Sequence, residues 1–210
     1  MTDPLLVCLV GPSGVGKSTL AQRLLAERPD FTRKISHTSR KPRGSEVRDV
    51  DYHFVTREAF LADVHAGHFL EHSNVYDNLY GTSRSEVARA VGTGKRGLVL
   101  ELDAYGASQM RASAPASTVV VFILPPSLET LGLRLRQRAT EDTATIERRT
   151  ADARAEIVLV DSVADYVIVN DDAARAGKTL SALVEAELLK RTSPAWGDMA
   201  ARLLRNGAIA

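Results

Sequence analysis

Gly11-Pro12-Ser13-Gly14-Val15-Gly16-Lys17-Ser18 is the stretch whose reading decides the fold. It fits the pattern G-x-x-x-x-G-K-[ST] with no mismatch. The apolar run Leu5 to Val10 before it reads as a buried strand, and Thr19 to Glu27 after it reads as a helix with Leu20 and Leu24 on one face. Glycines let successive backbone N–H groups turn inward around an anion, and the start of a helix adds a favourable dipole. In that arrangement Lys17 reaches the β- and γ-phosphates of a nucleoside triphosphate and Ser18 ligates Mg²⁺. The plain alternative is a glycine-rich turn that matches by chance. A strand before and a helix after argue against it.

Working outward, a chain of 210 residues suffices for one α/β domain with small insertions. A formal net charge of +1 gives no global field for a nucleic acid or a membrane surface. Basic residues cluster locally instead, at Arg40-Lys41-Arg43, Arg134-Arg136-Arg138 and Arg148-Arg149. Such clusters in a near-neutral chain read as pockets for small anions, although the last two are equally readable as solvated helix faces. Cys8 lies in the first apolar run and reads as a small core residue with no disulfide partner. No apolar stretch has membrane-spanning length and no signal pattern opens the chain, so a cytoplasmic enzyme is expected.

Along the chain, Lys34-Ile35-Ser36 reads as short and extended, His37 to Asp51 as a basic loop, and Tyr52 to Val55 as a strand. Thr56 caps a helix with Phe60, Leu61 and Val64 inward, ending at Gly67. Phe69-Leu70-Glu71 reads as extended, Val75 to Gly81 as a turn through Asp77-Asn78, and Ser83-Arg84-Ser85-Glu86 as a capping box. Near-continuous apolar runs at Leu98 to Leu102, Thr118 to Leu124 and Asp165 to Val169 predict parallel strands covered on both faces. Helices follow from Ser127, with Leu128, Leu131 and Leu135 aligned, around Ile146, and from Ala173. Residues 192–210 read as a tail with Trp196 and a short amphipathic piece at Met199, Leu203 and Leu204.

The run Ser36-His37-Thr38-Ser39-Arg40-Lys41-Pro42-Arg43 resembles the guanylate kinase family. The likeness continues in order through Asp51-Tyr52-His53-Phe54, Phe69-Leu70-Glu71-His72, Asn78-Leu79-Tyr80-Gly81-Thr82-Ser83 and Ile168-Val169-Asn170-Asp171-Asp172. It spans about residues 5–190. The resemblance implies an α/β P-loop kinase fold: a central parallel sheet flanked by helices, with a GMP-binding insertion and a helical lid. Read that way, residues 1–210 form one domain. Its core is about 1–35, 92–133 and 160–190, with the insertion at about 36–91, the lid at about 134–159 and the tail at 191–210.

The reaction implied is ATP-dependent phosphorylation of GMP, and of dGMP, with Mg²⁺. ATP would then lie on Gly11, Pro12, Ser13, Gly14, Val15, Gly16, Lys17, Ser18 and Thr19, with Arg138 and Asn170. Arg40 and Arg43, three apart in a loop, offer bidentate donors to one phosphate. In the family the matching arginines hold the GMP phosphate together with the counterparts of Ser36, Tyr52 and Tyr80. Glu71 is the base reader by resemblance, and donor–acceptor logic agrees. A carboxylate accepts from the N1–H and N2 amino groups that guanine presents side by side, while Thr82 can donate to O6. Glu101 and Asp103 end a core strand, where such sheets place ligands. By family match Glu101 contacts the acceptor and Asp103 lies nearer the ribose and a metal-bound water. Arg138 and Arg149 match lid arginines that close over the transferring group, with Arg134 one helical turn away. The catalytic set implied is thus Lys17, Arg40, Arg43, Arg138 and Arg149, with ATP and GMP as small-molecule partners, no nucleic acid or membrane, and the oligomeric state left open.

Four positions depart from the family pattern: Leu79 in place of a tyrosine, Ala104-Tyr105 before Gly106, a longer Lys95-to-Glu101 spacing, and Ala139 for a lid glycine. They bear on rate and acceptor affinity more than on reaction type. The five histidines form no pattern with Cys8 that would hold zinc. Two other readings are a P-loop kinase of a phosphorylated sugar and a non-catalytic guanylate-kinase-like interaction module. The first predicts loss of Glu71 and Thr82, and the second loss of Lys17 and Ser18; all four residues are present.

Overall fold

The described elements of the computed structural model, which covers residues 4–75, 77–137, 143–190 and 201–202, begin with β1 (Leu5–Val10), α1 (Lys17–Glu27), β2 (Phe31–Arg33), β3 (Ser36–Thr38) and β4 (Tyr52–Phe54). Next come α2 (Arg57–His65), β5 (Phe69–Val75), β6 (Asn78–Ser83), α3 (Arg84–Gly92), β7 (Gly97–Glu101) and α4 (Ala104–Ser113). The remainder is β8 (Thr118–Leu124), α5 (Leu128–Gln137), α6 (Thr143–Ile157), α7 (Val160–Val163), β9 (Tyr166–Val169) and α8 (Ala173–Leu189).

Side chains alternate across a strand, so a continuous apolar run is stable only where both faces are covered. β1 shows this directly. Leu5, Val7 and Leu9 pack with Leu20 and Leu24 of α1, Leu131 of α5 and Leu180 and Val184 of α8. Leu6, Cys8 and Val10 pack on the other side with Ala107 and Met110 of α4 and Val163 of α7. β1 is paired in parallel to β7 and to β8, inside a parallel sheet of order β2-β7-β1-β8-β9. Cys8 is the core residue expected, and burial pushes its thiol up to about 12. No described helix is long and apolar enough to cross a membrane.

A second, mostly antiparallel sheet of order β4-β3-β6-β5 carries the sequence between α1 and α3. Its own small core is Phe60, Phe69 and Leu79, with the Phe60 and Phe69 rings stacked at 4.6 Å between centroids. A register shift between Phe69 and Glu71 places Leu70 out of the pairing. Leu70 joins the core of the first sheet, and Glu71 comes opposite Thr82. A bulge re-aims side chains in just this way.

Several local expectations are corrected. The chain is extended at Phe31–Arg33 and Ser36–Thr38, with Lys34 at the passage between the two sheets, not in a strand over 34–36. Val75 to Gly81 is not one turn, because β6 already starts at Asn78, and Asp77 takes a positive φ of 63° at the bend. Ser83 is the N-cap of α3 but no capping box forms. Its hydroxyl meets Ser85, and Glu86 instead accepts from the Ile35 N–H at 2.8 Å and from Arg89. Leu61 faces outward, at 40% exposure. Thr56 does cap α2, accepting from the Ala59 N–H. The side chain of Ile146, Ala139, Trp196, Met199, Leu203 and Leu204 lie outside the described residues.

Phe60 is fully buried in the smallest of the cores. Phe60→Ala is expected to cost about 3–5 kcal/mol in urea unfolding. A loss below about 1 kcal/mol, the range of surface changes, would show that this layer is not packed as described.

Candidate active site

Strand β1 stops at Val10, and the chain then turns through Gly11 to Gly16 before α1 begins with Lys17, Ser18 and Thr19. Gly11 and Gly16 have φ of 134° and 102°. A Cβ on Gly11 would lie 2.3 Å from the Ile123 carbonyl oxygen, and one on Gly16 would lie 2.4 Å from the Asn170 amide nitrogen. The loop is therefore pressed against β8 and the end of β9 as closely as a backbone allows. The Val15 N–H donates to Pro12 O at 3.3 Å, closing the turn from within. Asn170 is buried and donates Nδ2–H to Val15 O at 2.7 Å, so it braces the loop from behind. Arg134 in turn donates to the Asn170 carbonyl at 2.9 Å. Lys17 Nζ donates to the carbonyls of Gly11 and, at 3.1 Å, of Pro12.

Beside the loop, Ser18 Oγ donates to Glu101 Oε2 at 2.6 Å. Glu101 Oε1 is buried without a hydrogen bond, with Arg33 Nη2 3.4 Å away. Asp103, two residues further on, is the N-cap of α4 and accepts from the Gly106 N–H at 2.6 Å. Ser18, Glu101 and Asp103 thus gather hard oxygen donors at the end of β7, and the Glu101 oxygen that makes no hydrogen bond fits a small divalent cation or its water shell. Across the opening, Arg149 of α6 donates to Ser13 Oγ at 3.2 Å. Asp152 and Glu156 of the same helix face the loop, and burial raises the Glu156 carboxyl pKa, with Lys17 pulling it back. Arg138 lies outside the described residues.

One cavity of about 400 Å³ runs from Gly11, Ser13 and Lys17 to Ser36, Tyr52, Glu71 and Tyr80, with Glu101 and Asp103 on its wall. At the far end Glu71 is 2% exposed. Thr82 donates its hydroxyl proton to Glu71 Oε1, and Lys34 Nζ lies 3.2 Å from that oxygen and 2.8 Å from Thr82 Oγ1. Burial raises the Tyr52 phenol pKa. Tyr52 lies under Arg40 at 5.3 Å and edge-on to Tyr80 at 6.1 Å.

The two loop arginines are both engaged at Glu46. Arg40 forms a bidentate pair with Glu46 at 2.9 and 2.8 Å and donates Nε–H to the Tyr80 hydroxyl at 3.2 Å. That pair raises the Arg40 pKa and lowers that of Glu46. Arg43 is exposed, and it is its backbone N–H that meets Glu46, at 2.7 Å. Sequence reasoning missed Lys34, Glu46, Asp152 and Glu156. Lys34 stands outside any strand, two residues before Ser36, and only the folded chain puts both on the cavity wall. No group of three or more metal-ligating side chains of the His, Cys, Asp or Glu kind occurs among the described residues.

Comparison with known proteins agrees with this geometry. The family model described as guanylate kinase matches residues 4–187. A guanylate kinase of Maricaulis maris is 44% identical over 91% of this chain and 87% of its own. One of Nitrosospira multiformis is 42% identical over 90% and 89%. The crystal structure of guanylate kinase from Anaplasma phagocytophilum superposes with a TM-score of 0.72 at 31% identity, covering 91% of this chain and 90% of that one. A braced phosphate loop, a buried carboxylate at the other end of the same cavity and a family match over nearly the whole length lead to one statement: the chain belongs to the guanylate kinase family.

Proposed function

We propose that this enzyme transfers the γ-phosphoryl group of ATP to GMP, and to dGMP, giving ADP and GDP or dGDP in guanine nucleotide synthesis and recycling in the cytoplasm. The observation that carries the reading is the single cavity with Lys17 at one end and Glu71 at the other. It has room for a donor phosphate chain facing a purine monophosphate.

On this reading the backbone of Gly11 to Gly16, with Lys17, Ser18 and Thr19 at the start of α1, cradles the ATP phosphates. Asn170 and Arg134 keep that cradle in place, and Arg149 and Arg138 draw the lid, about residues 134–159, over the transferring group. Charge in the transfer is spread over equatorial oxygens, so positioned arginines and Lys17 supply most of the stabilisation. The acceptor is held by the segment of about 36–91: its phosphate by Arg40, Arg43, Ser36, Tyr52 and Tyr80, and its base by Glu71 with Thr82 beside it. Arg40 reaches that phosphate by exchanging Glu46 oxygens for phosphate oxygens. No side chain need remove a proton, because a phosphate monoester with a second pKa of about 6 is already anionic at neutral pH. Mg²⁺ would be held by Ser18, with Glu101 adjoining and Asp103 acting through water, and would supply charge neutralisation on the β- and γ-phosphates.

The deciding assay is coupled ADP release across GMP, dGMP, IMP, AMP and UMP, where GMP and dGMP should lead and AMP should be poor. Equal turnover of AMP and GMP would remove the reading. Lys17→Ala should lower kcat by at least about 100-fold with an unchanged thermal melt. Glu71→Gln sets an amide N–H against a guanine donor and should raise KM for GMP by about 10- to 100-fold. The KM for ATP should move by less than about threefold, since the two ends of the cavity bind separately; equal shifts in both would unseat Glu71 as base reader.

A further inference from the structure

At the base end of the cavity, the hydrogen-bond accounts leave one donor in a place that recognition of guanine requires. Guanine offers three groups in a row on its pairing edge: the acceptor O6, then N1–H, then the N2 amino group. Glu71 has acceptors only: Oε1 already takes Thr82 and Lys34, so the two guanine donors fall mainly to Oε2, and it offers nothing for O6. Thr82 has a single hydroxyl proton, and that proton is given to Glu71 Oε1. Its oxygen is an acceptor for Lys34 Nζ at 2.8 Å.

Lys34 is 8% exposed and faces the cavity beside Glu71. An ammonium has three N–H bonds. Among the described residues, Glu71 Oε1 and Thr82 Oγ1 take two of them. The third is available to a ligand. The backbone holds the lysine in position, because its N–H donates to Val99 O at 3.3 Å as the chain leaves β2 for β3.

We propose that Lys34 is a specificity-determining residue that donates to guanine O6, so that an ammonium and the Glu71 carboxylate, side by side, form a strip complementary to the whole pairing edge. This rests on the GMP-binding reading above and deepens it. The strip opposes adenine at two points. The adenine N6 amino group meets the ammonium donor with donor, and N1 meets the carboxylate acceptor with acceptor. Loss of a buried polar match of this kind strands a desolvated group, which is why such sites discriminate strongly.

The test pairs a change in the protein with a change in the ligand. 6-Thioguanosine monophosphate keeps N1–H and the N2 amino group but replaces O6 by sulfur, a weak acceptor. Wild-type enzyme should favour GMP over the thio analogue in kcat/KM by about 10-fold or more. Lys34→Met keeps the length of the side chain and removes its donors. It should bring that ratio to within about threefold and raise AMP relative to GMP, with KM for ATP unchanged. A Lys34→Met enzyme that loses activity on GMP and its thio analogue by the same factor would overturn the proposal, since the lysine would then act only through Glu71. Should a thermal melt show that variant unfolded, Thr82→Val carries the test. With Lys34 as the O6 donor the valine enzyme keeps the GMP preference over the thio analogue, whereas collapse of the preference assigns O6 to Thr82 and overturns it. Wild-type protein releasing no ADP with GMP would overturn the parent reading, while either of the other failures leaves that reading standing.

Discussion

The place where β1 ends fixes the loop end of the cavity. The strand is hydrogen-bonded on both edges and buried on both faces, so it has no freedom to slide or tilt. Its last residue, Val10, hands the backbone to a loop that touches the Ile123 carbonyl on one side and the Asn170 amide on the other. Parallel strands leave their carboxyl ends unpaired at a common edge. Here β7 and β1 stop together there, so Glu101 meets Ser18 from the neighbouring strand. Shifting β1 by one residue would exchange its two buried faces and move the loop away from both braces.

The acceptor half depends on a different constraint. Backbone pairing alone cannot satisfy a buried carboxylate, and Glu71 is almost wholly out of water. The bulge that expels Leu70 toward the larger core also turns Glu71 to the cavity, where Lys34 and Thr82 meet it. One irregularity thereby joins the two sheets through an apolar contact and sets the polar end of the site. A regular strand would have achieved only one of these.

Much of this was legible in the amino-acid sequence, for reasons that differ from residue to residue. The core strands announced themselves because strands covered on both faces must be apolar at every position, and Leu5 to Val10 or Thr118 to Leu124 admits no other economical reading. The loop was legible because backbone geometry around an anion tolerates few residue types. The shortest strands were harder. Phe31–Arg33 and Ser36–Thr38 are three residues each, too short for periodicity to register, and their pairing comes from β6 and β7 much later in the chain. Ser83 to Glu86 has the composition of a capping box, yet Glu86 is drawn away by the Ile35 N–H and Arg89, a tertiary competition no local rule can see. Arg40 and Arg43 were visible as basic, but their engagement at Glu46 was not. Glu46 takes the Arg40 fork through a loop whose path the sequence does not dictate.

The same pattern runs through both ends of the cavity, and it bears on how such a site selects its ligands. Arg40 is held on Glu46, Lys17 on the carbonyls of Gly11 and Pro12 with Glu156 nearby, and Lys34 on Glu71. On the proposed roles, a phosphate arriving at Arg40 or Lys17 would replace an interaction already made, so its electrostatic gain would be a difference between two good partners. Differences of that size discriminate poorly between one phosphate ester and another, since every nucleotide carries the same groups. The selective weight must fall on contacts that only one base can complete. Those lie where the carboxylate of Glu71 is buried and a mismatched edge has no water to turn to. On the proposed roles, a site whose Arg40, Lys17 and Lys34 are already engaged by protein groups would choose its substrate by the edge of a ring, with the phosphates serving to place it.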